Sequence, residues 1–124
     1  MICDKTREKA NEVKSVEVIG EVKNKDVIIV DDLIDTGGTI AMASNVIMDK
    51  GAKSVRAIIT HPVLSGNAEE NLENSSLIEL VVTDSIPLNI RNKKIKVLSI
   101  AGLFAKAIRK IHENESTSSL FINR

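Results

Sequence analysis

Tryptophan and tyrosine are absent from this chain of 124 residues, and phenylalanine occurs only twice. Any core must therefore be built from aliphatic side chains. The same shortage removes the aromatic platforms on which single-stranded nucleic acid stacks. Charge offers no substitute, because 17 basic residues balance 17 acidic ones. A chain of zero net charge has no bulk field to draw a nucleic acid or an anionic membrane. No apolar run is long enough to span a bilayer, and no signal peptide precedes the charged segment 4–9. Cys3 is the single cysteine, which excludes an intrachain disulfide and reads as an incidental thiol rather than a nucleophile. There are no internal repeats and no interdomain linker. A single soluble, cytoplasmic domain with a modest core is the expectation.

What the chain does have is concentrated in residues 27–40, VIIVDDLIDTGGTI. Val27, Ile28, Ile29 and Val30 form an unbroken β-branched run, which predicts a strand buried on both faces. Asp31 and Asp32 stand where that strand should end. Asp35, Thr36, Gly37, Gly38 and Thr39 then make a small hydroxyl-rich turn. It leads into residues 40–50, where Ile40, Ala43, Val46 and Ile47 recur at helical spacing. A parallel strand, a polar loop and a helix N-terminus make an anion site. The glycines let backbone N–H groups approach a phosphate, and Thr36 and Thr39 offer hydroxyl donors. The carboxylates of Asp31 and Asp32 repel phosphate but suit sugar hydroxyls, or a divalent cation between them. Donors for phosphate beside acceptors for hydroxyls point to a sugar phosphate. The loop does not end in Gly-Lys-Ser/Thr, so it is not a P-loop, and it lacks the G-x-G-x-x-G dinucleotide pattern.

The rest of the chain alternates strands and helices. Residues 15–22, 54–60, 77–83 and 96–100 read as strands. Residues 68–74 make one or two helical turns, and residues 101–113 make an amphipathic helix with Phe104, Ala107, Ile108 and Ile111 on one face. Gly51 closes the first helix and Pro62 stops the strand before it. His61 stands at a strand end without an evident proton-transfer partner, and a structural role is its plainer reading. Such alternation predicts an α/β layered fold with a mostly parallel sheet. By charge alone, residues 4–13 read as a solvated arm. By composition alone, residues 115–121 read as disordered.

The string VIIVDDLIDTGGTI resembles the phosphoribosyl-diphosphate binding motif of type I phosphoribosyltransferases and their relatives. Its flanks narrow the resemblance to the ribose-phosphate diphosphokinases. Residues 4–13, DKTREKANEV, are similar to the catalytic flexible loop of that family, with Lys5 and Arg7 on its Lys-x-Arg core. THPVLSGNA, residues 60–68, resembles the family's loop after the next strand. ESTSSLF, residues 115–121, is similar to the Ser-x-Ser-x-Leu-Phe ending of its phosphate-regulated members.

Several roles are implied by the resemblance. Lys5 and Arg7 would close over the transferring diphosphoryl group and stabilise its charge, Arg7 also touching the sugar phosphate. Asp31 would take ribose hydroxyls, with Asp32 behind it or on a metal-bound water. Asp35, Thr36, Gly37, Gly38 and Thr39 would hold the 5-phosphate. Ser116, Ser118 and Phe121 would serve an allosteric nucleotide at a subunit interface. The implied reaction joins ATP and ribose 5-phosphate to give AMP and 5-phosphoribosyl diphosphate. Magnesium is the implied cofactor, its ligands expected mainly outside this chain, and a homo-oligomer, a hexamer in full-length members, is the implied assembly. The resemblance covers only the closing part of the family pattern. Residues 1–124 are thus expected to be a C-terminal, ribose 5-phosphate-binding domain of incomplete type I phosphoribosyltransferase-like fold, unable to complete the reaction without an ATP-binding half. A phosphoribosyltransferase proper shares the phosphate loop but not the two flanks, and a non-catalytic regulatory paralogue would not need Lys5 and Arg7.

Overall fold

The β-branched runs pair where alternation and turn chemistry allow, and they do so in two separate sheets. In the computed structural model, residues 2–9 and 12–121 are described, with side chains from Ile19 onward. Strands β1 (Ile2–Lys9) and β2 (Glu12–Ile19) form a two-stranded antiparallel ladder. Its register sets Lys5 opposite Val16 and Arg7 opposite Val13. The backbone of residues 4–9 and 12–13 is thus strand rather than a solvated arm or open loop. Val13, Val16 and Val18 give β2 a pleat-loving sequence, and its pairing recruits the charged segment that composition alone assigns to solvent. The Lys5 and Arg7 side chains lie outside the described residues.

The second sheet is parallel, in the order β3 (Asp26–Ile34), β4 (Ser54–Pro62), β5 (Leu77–Thr83), β6 (Ile95–Leu98). Helix α1 (Gly38–Asp49) crosses from β3 to β4, and the short α2 (Ala68–Glu73) from β4 to β5. Both cover one face. Ile40 and Ile47 of α1 and Ala68 and Leu72 of α2 are buried against Val27, Val55, Ala57, Ile59, Leu80 and Val82 of the sheet. This aliphatic layer is the core the aromatic-poor composition requires. Gly51 at φ 87° turns the chain out of α1, donating its N–H to Met48 O at 2.8 Å.

The other face of the sheet is open among the described residues. Strand alternation puts Ile28, Val30 and Ile58 there, and Val30 is 75% exposed. The expectation that residues 27–30 are buried on both faces is therefore wrong. β3 is an edge strand of the described sheet, and Val27 and Ile34 are the β3 residues buried in the aliphatic core. The open face also carries a charged row, with Glu79 between Arg56 at 3.5 Å and Lys96 at 2.5 Å. Helix α3 (Ala101–His112) forms where the periodicity predicts, yet none of its residues is buried, and Phe104, Ile108 and Ile111 are exposed.

Candidate functional site

The site sits at the C-terminal end of β3, where ligands bind in open α/β sheets. Asp31 and Asp32 are exposed and lie inside β3 rather than at its end, because Leu33 and Ile34 still pair with His61 and Pro62 of β4. Successive side chains of a strand point to opposite faces, so the two carboxylates diverge and do not pinch one cation between them. Asp31 Oδ1 instead accepts the Asp32 N–H at 2.9 Å.

Beyond Ile34, which is buried, the chain bends through Asp35 and Thr36 to Gly37. Gly37 lies at φ 74°, ψ −5°, and acts as N-cap of α1. Only glycine takes that left-handed conformation at little cost. A glycine cap brings no side-chain oxygen to the first amides of the helix, and α1 has no acidic residue in its first turn. The helix N-terminus therefore keeps its donors and its partial positive charge for an external anion. Gly38 differs from Gly37. Its backbone is ordinary, and a Cβ there would lie 3.8 Å from Asn71 Nδ2 and 3.9 Å from Thr36 Oγ1, so the fold itself has room for one. What glycine supplies at 38 is a bare approach to the helix amides.

A second loop braces the first. After β4, the N–H groups of Val63 and Leu64 donate to Ile34 O at 3.0 and 3.2 Å, and Ser65 N donates to Asp35 O at 3.2 Å. The Ser65 hydroxyl donates to the Asp35 carboxylate. Asp35 is thereby turned towards protein partners beside the loop amides. Asn71, on α2, donates to Thr36 O at 2.7 Å. Nothing in the spacing of the sequence marks Ser65 and Asn71. They join the site only because β4 and α2 fold back beside α1.

Thr39 lies in the first turn of α1, so residues 35–39 form one continuous loop and helix start. Ser116, Ser118 and Phe121 are far along the chain. There a 3-10 turn at Ser118–Leu120 orders the segment that composition assigns to disorder. The Ser116 hydroxyl donates to Ser118 Oγ at 2.9 Å and accepts the Ser118 N–H at 3.2 Å, while Phe121 is exposed. His61 does have a partner: its Nδ1 lies 2.9 Å from Ser85 Oγ, which also donates to Thr60 O at 3.1 Å. This pair links the end of β4 to the loop after β5. Among the described residues no three His, Cys, Asp or Glu side chains gather as a metal site. No helix among the described residues is long and apolar enough to cross a membrane.

Known proteins share this arrangement. The sequence profile of the phosphoribosyl synthetase-associated domain matches residues 4–122. A ribose-phosphate pyrophosphokinase of Wolinella succinogenes is 54% identical over 122 residues, and that of Campylobacter jejuni is 55% identical over 122. Each alignment takes in 98% of this chain and 40% of the relative. The crystal structure of phosphoribosylpyrophosphate synthetase from Mycobacterium smegmatis superposes with a TM-score of 0.77 at 44% identity, covering 83% of this chain and 35% of that one. The chain thus spans about 40% of the length of the relatives it matches.

Proposed function

The chain belongs to the phosphoribosyl synthetase-associated domain family, and from that premise we propose that it supplies the ribose 5-phosphate half of a ribose-phosphate diphosphokinase. In this reading the 5-phosphate rests on the amides of Gly37, Gly38 and Thr39 and on the hydroxyls of Thr36 and Thr39. Asp31 accepts from ribose hydroxyls, and Asp32 stands behind it. The 1-hydroxyl of the sugar attacks the β-phosphorus of ATP, the bond to the α-phosphate oxygen breaks, and AMP leaves. Lys5 and Arg7 neutralise charge on the passing diphosphoryl group. Positioning and charge stabilisation carry such a transfer without a covalent enzyme intermediate. ATP and its magnesium are held by the part of the relatives' length that this chain does not span, in a homo-oligomer. Ser116, Ser118 and Phe121 form part of an effector site for a nucleotide phosphate.

The observation that carries the reading is the α1 N-terminus. A left-handed glycine cap, no capping side chain and no first-turn acid leave its amides free for a phosphate. The proposal is tested by complementation. The purified chain is mixed with ATP, magnesium and ribose 5-phosphate, with and without a separately produced N-terminal portion of the Campylobacter relative. AMP release that needs both parts is the expected result. AMP release from the chain alone, or none from the pair while each part stays folded, refutes it. Diphosphate release that depends on a nucleobase would instead mark a phosphoribosyltransferase.

A further inference from the structure

The residue that decides which way the phosphate loop faces is not in the loop. We propose that Asn71 is a positioning residue for the 5-phosphate: by holding the Thr36 carbonyl, it aims the Gly37 N–H at the bound anion. The inference rests on the phosphate-loop reading given above and adds to it the group that sets the loop's donor geometry.

Three observations support it. The first is the hydrogen bond itself, from Asn71 Nδ2 to Thr36 O at 2.7 Å. A carbonyl oxygen can only accept, so it is the NH2 side of the amide that faces the loop. The second is peptide geometry. The chain has no cis peptide bond, and in a planar trans peptide the C=O and the next N–H point in opposite directions. With the Thr36 carbonyl drawn towards α2, the Gly37 N–H is turned away from α2. Gly37 is left-handed and Gly38 begins α1, and such a succession of backbone conformations forms a concave nest of N–H groups. If the 36–37 peptide flipped, a carbonyl would replace a donor at the edge of that nest.

The third observation is how firmly Asn71 is mounted. α2 is only six residues long, but Ala68 and Leu72 are fully buried. Its last carbonyls are gathered by Lys94, whose Nζ lies 2.6 Å from Leu72 O and 3.2 Å from Glu73 O. Asn71 also flanks both glycines, with its Cβ 3.8 Å from where a Cβ on Gly37 would stand. The other polar side chains of α2, Glu69, Glu70 and Glu73, are exposed carboxylates. A neutral amide is the one polar group of this helix that can face an anion loop without repelling the anion.

The test uses the full 124-residue chain, labelled with nitrogen-15 and titrated with ribose 5-phosphate and, separately, inorganic phosphate. Asn71→Ala removes the donor and favours the helix, so it keeps α2 formed. Asn71→Asp keeps the shape and places a carboxylate against the carbonyl. Before ligand is added, both variants are expected to change the residual dipolar coupling of the Gly37 N–H while leaving those of β4 and β5 in place. Ribose 5-phosphate affinity is expected to fall about fivefold in Asn71→Ala and tenfold or more in Asn71→Asp. A purely structural role would not rank the two variants by charge. Affinity within about twofold of wild type in both variants, with the wild type binding, overturns the inference alone. A folded wild type that binds neither ligand overturns the phosphate-loop reading, and this inference with it.

Discussion

Lys94 places its ammonium 2.6 Å from the carbonyl of Leu72, 22 positions earlier in the chain. The same nitrogen lies 2.9 Å from Ser75 O and 3.2 Å from Glu73 O. Leu72 O also accepts from the N–H and the hydroxyl of Ser75, at 3.2 and 2.6 Å, so Lys94 adds a charged donor where a short helix runs out of its own amides. One side chain from the turn just before β6 thus reaches the end of α2. Lys94→Met is expected to lower stability by on the order of 1–2 kcal/mol, less than a fully buried charged hydrogen bond would carry because the group is only part-buried. Urea unfolding measures it. Burial, with Lys93 beside it, holds the ammonium below its ordinary value of 10.5, while Glu73 opposes the shift. A lysine whose folded value is lowered works against folding while charged. Wild type is therefore expected to gain on Lys94→Met as pH rises from that lowered value towards 10.5.

The two loop glycines should respond oppositely to alanine. Gly37→Ala forces a side chain into the left-handed region and is expected to cost about 1–2 kcal/mol of stability. Gly38→Ala meets no close neighbour in the fold and is expected to stabilise the chain by about 0.5–1 kcal/mol. It should nonetheless weaken ribose 5-phosphate binding, because its methyl group stands at the approach to the helix amides. Thermal melts and an isothermal titration on each variant check this. A Gly38→Ala chain that binds as well as wild type would remove Gly38 from the phosphate site.

Acid should loosen the junction between β5 and α3. The hydroxyl of Ser99 and the N–H of Ile100 hold the Asp84 carboxyl below the ordinary carboxylate value of 3.8. Its Oδ1 accepts from Ile100 N at 2.9 Å, at the start of α3. A lowered folded value means that this stabilisation is fully present above pH 3.8 and is lost as pH falls through the folded value. Asp84→Asn is expected to flatten that acid limb. Circular dichroism between neutral and strongly acid pH, comparing the two proteins, is the measurement.

Lys5 can be judged only in the restored enzyme. When the complementing portion is supplied, Lys5→Ala is expected to reduce the rate of AMP formation by about two orders of magnitude or more, as loss of a charge-stabilising donor does. Its effect on ribose 5-phosphate affinity should be small. Unchanged turnover would end its catalytic assignment.

The parallel sheet and the strand–turn–helix unit around residues 35–39 are legible in the sequence because their signals are local. The run of Val27 to Val30, the paired acids and the Thr-Gly-Gly-Thr turn occupy one continuous stretch. Strand, loop and helix start are each set by residues within a few positions of one another. Strands consecutive in the chain lie side by side in the parallel sheet, as short connections favour. The helix at 101–113 is readable for the same reason, since its stripe repeats at 3.6 residues.

Tertiary structure decided the rest. Whether Ile28 and Val30 are buried depends on what lies across the sheet, which a strand's own sequence does not encode. Residues 4–9 and 12–13 read as part of a solvated arm by charge, yet their backbone is recruited into the β1–β2 ladder. Ser65, Asn71 and Lys94 carry no motif, because hydrogen bonds spanning 22 to 35 positions exist only once the chain has folded. The sequence by itself determined the strand, the glycine turn and the helix start on which the phosphate reading rests. The packing of α2 beside α1 decided what the Thr36 carbonyl meets, the amide of Asn71, since a peptide plane is oriented by whatever partner its carbonyl finds.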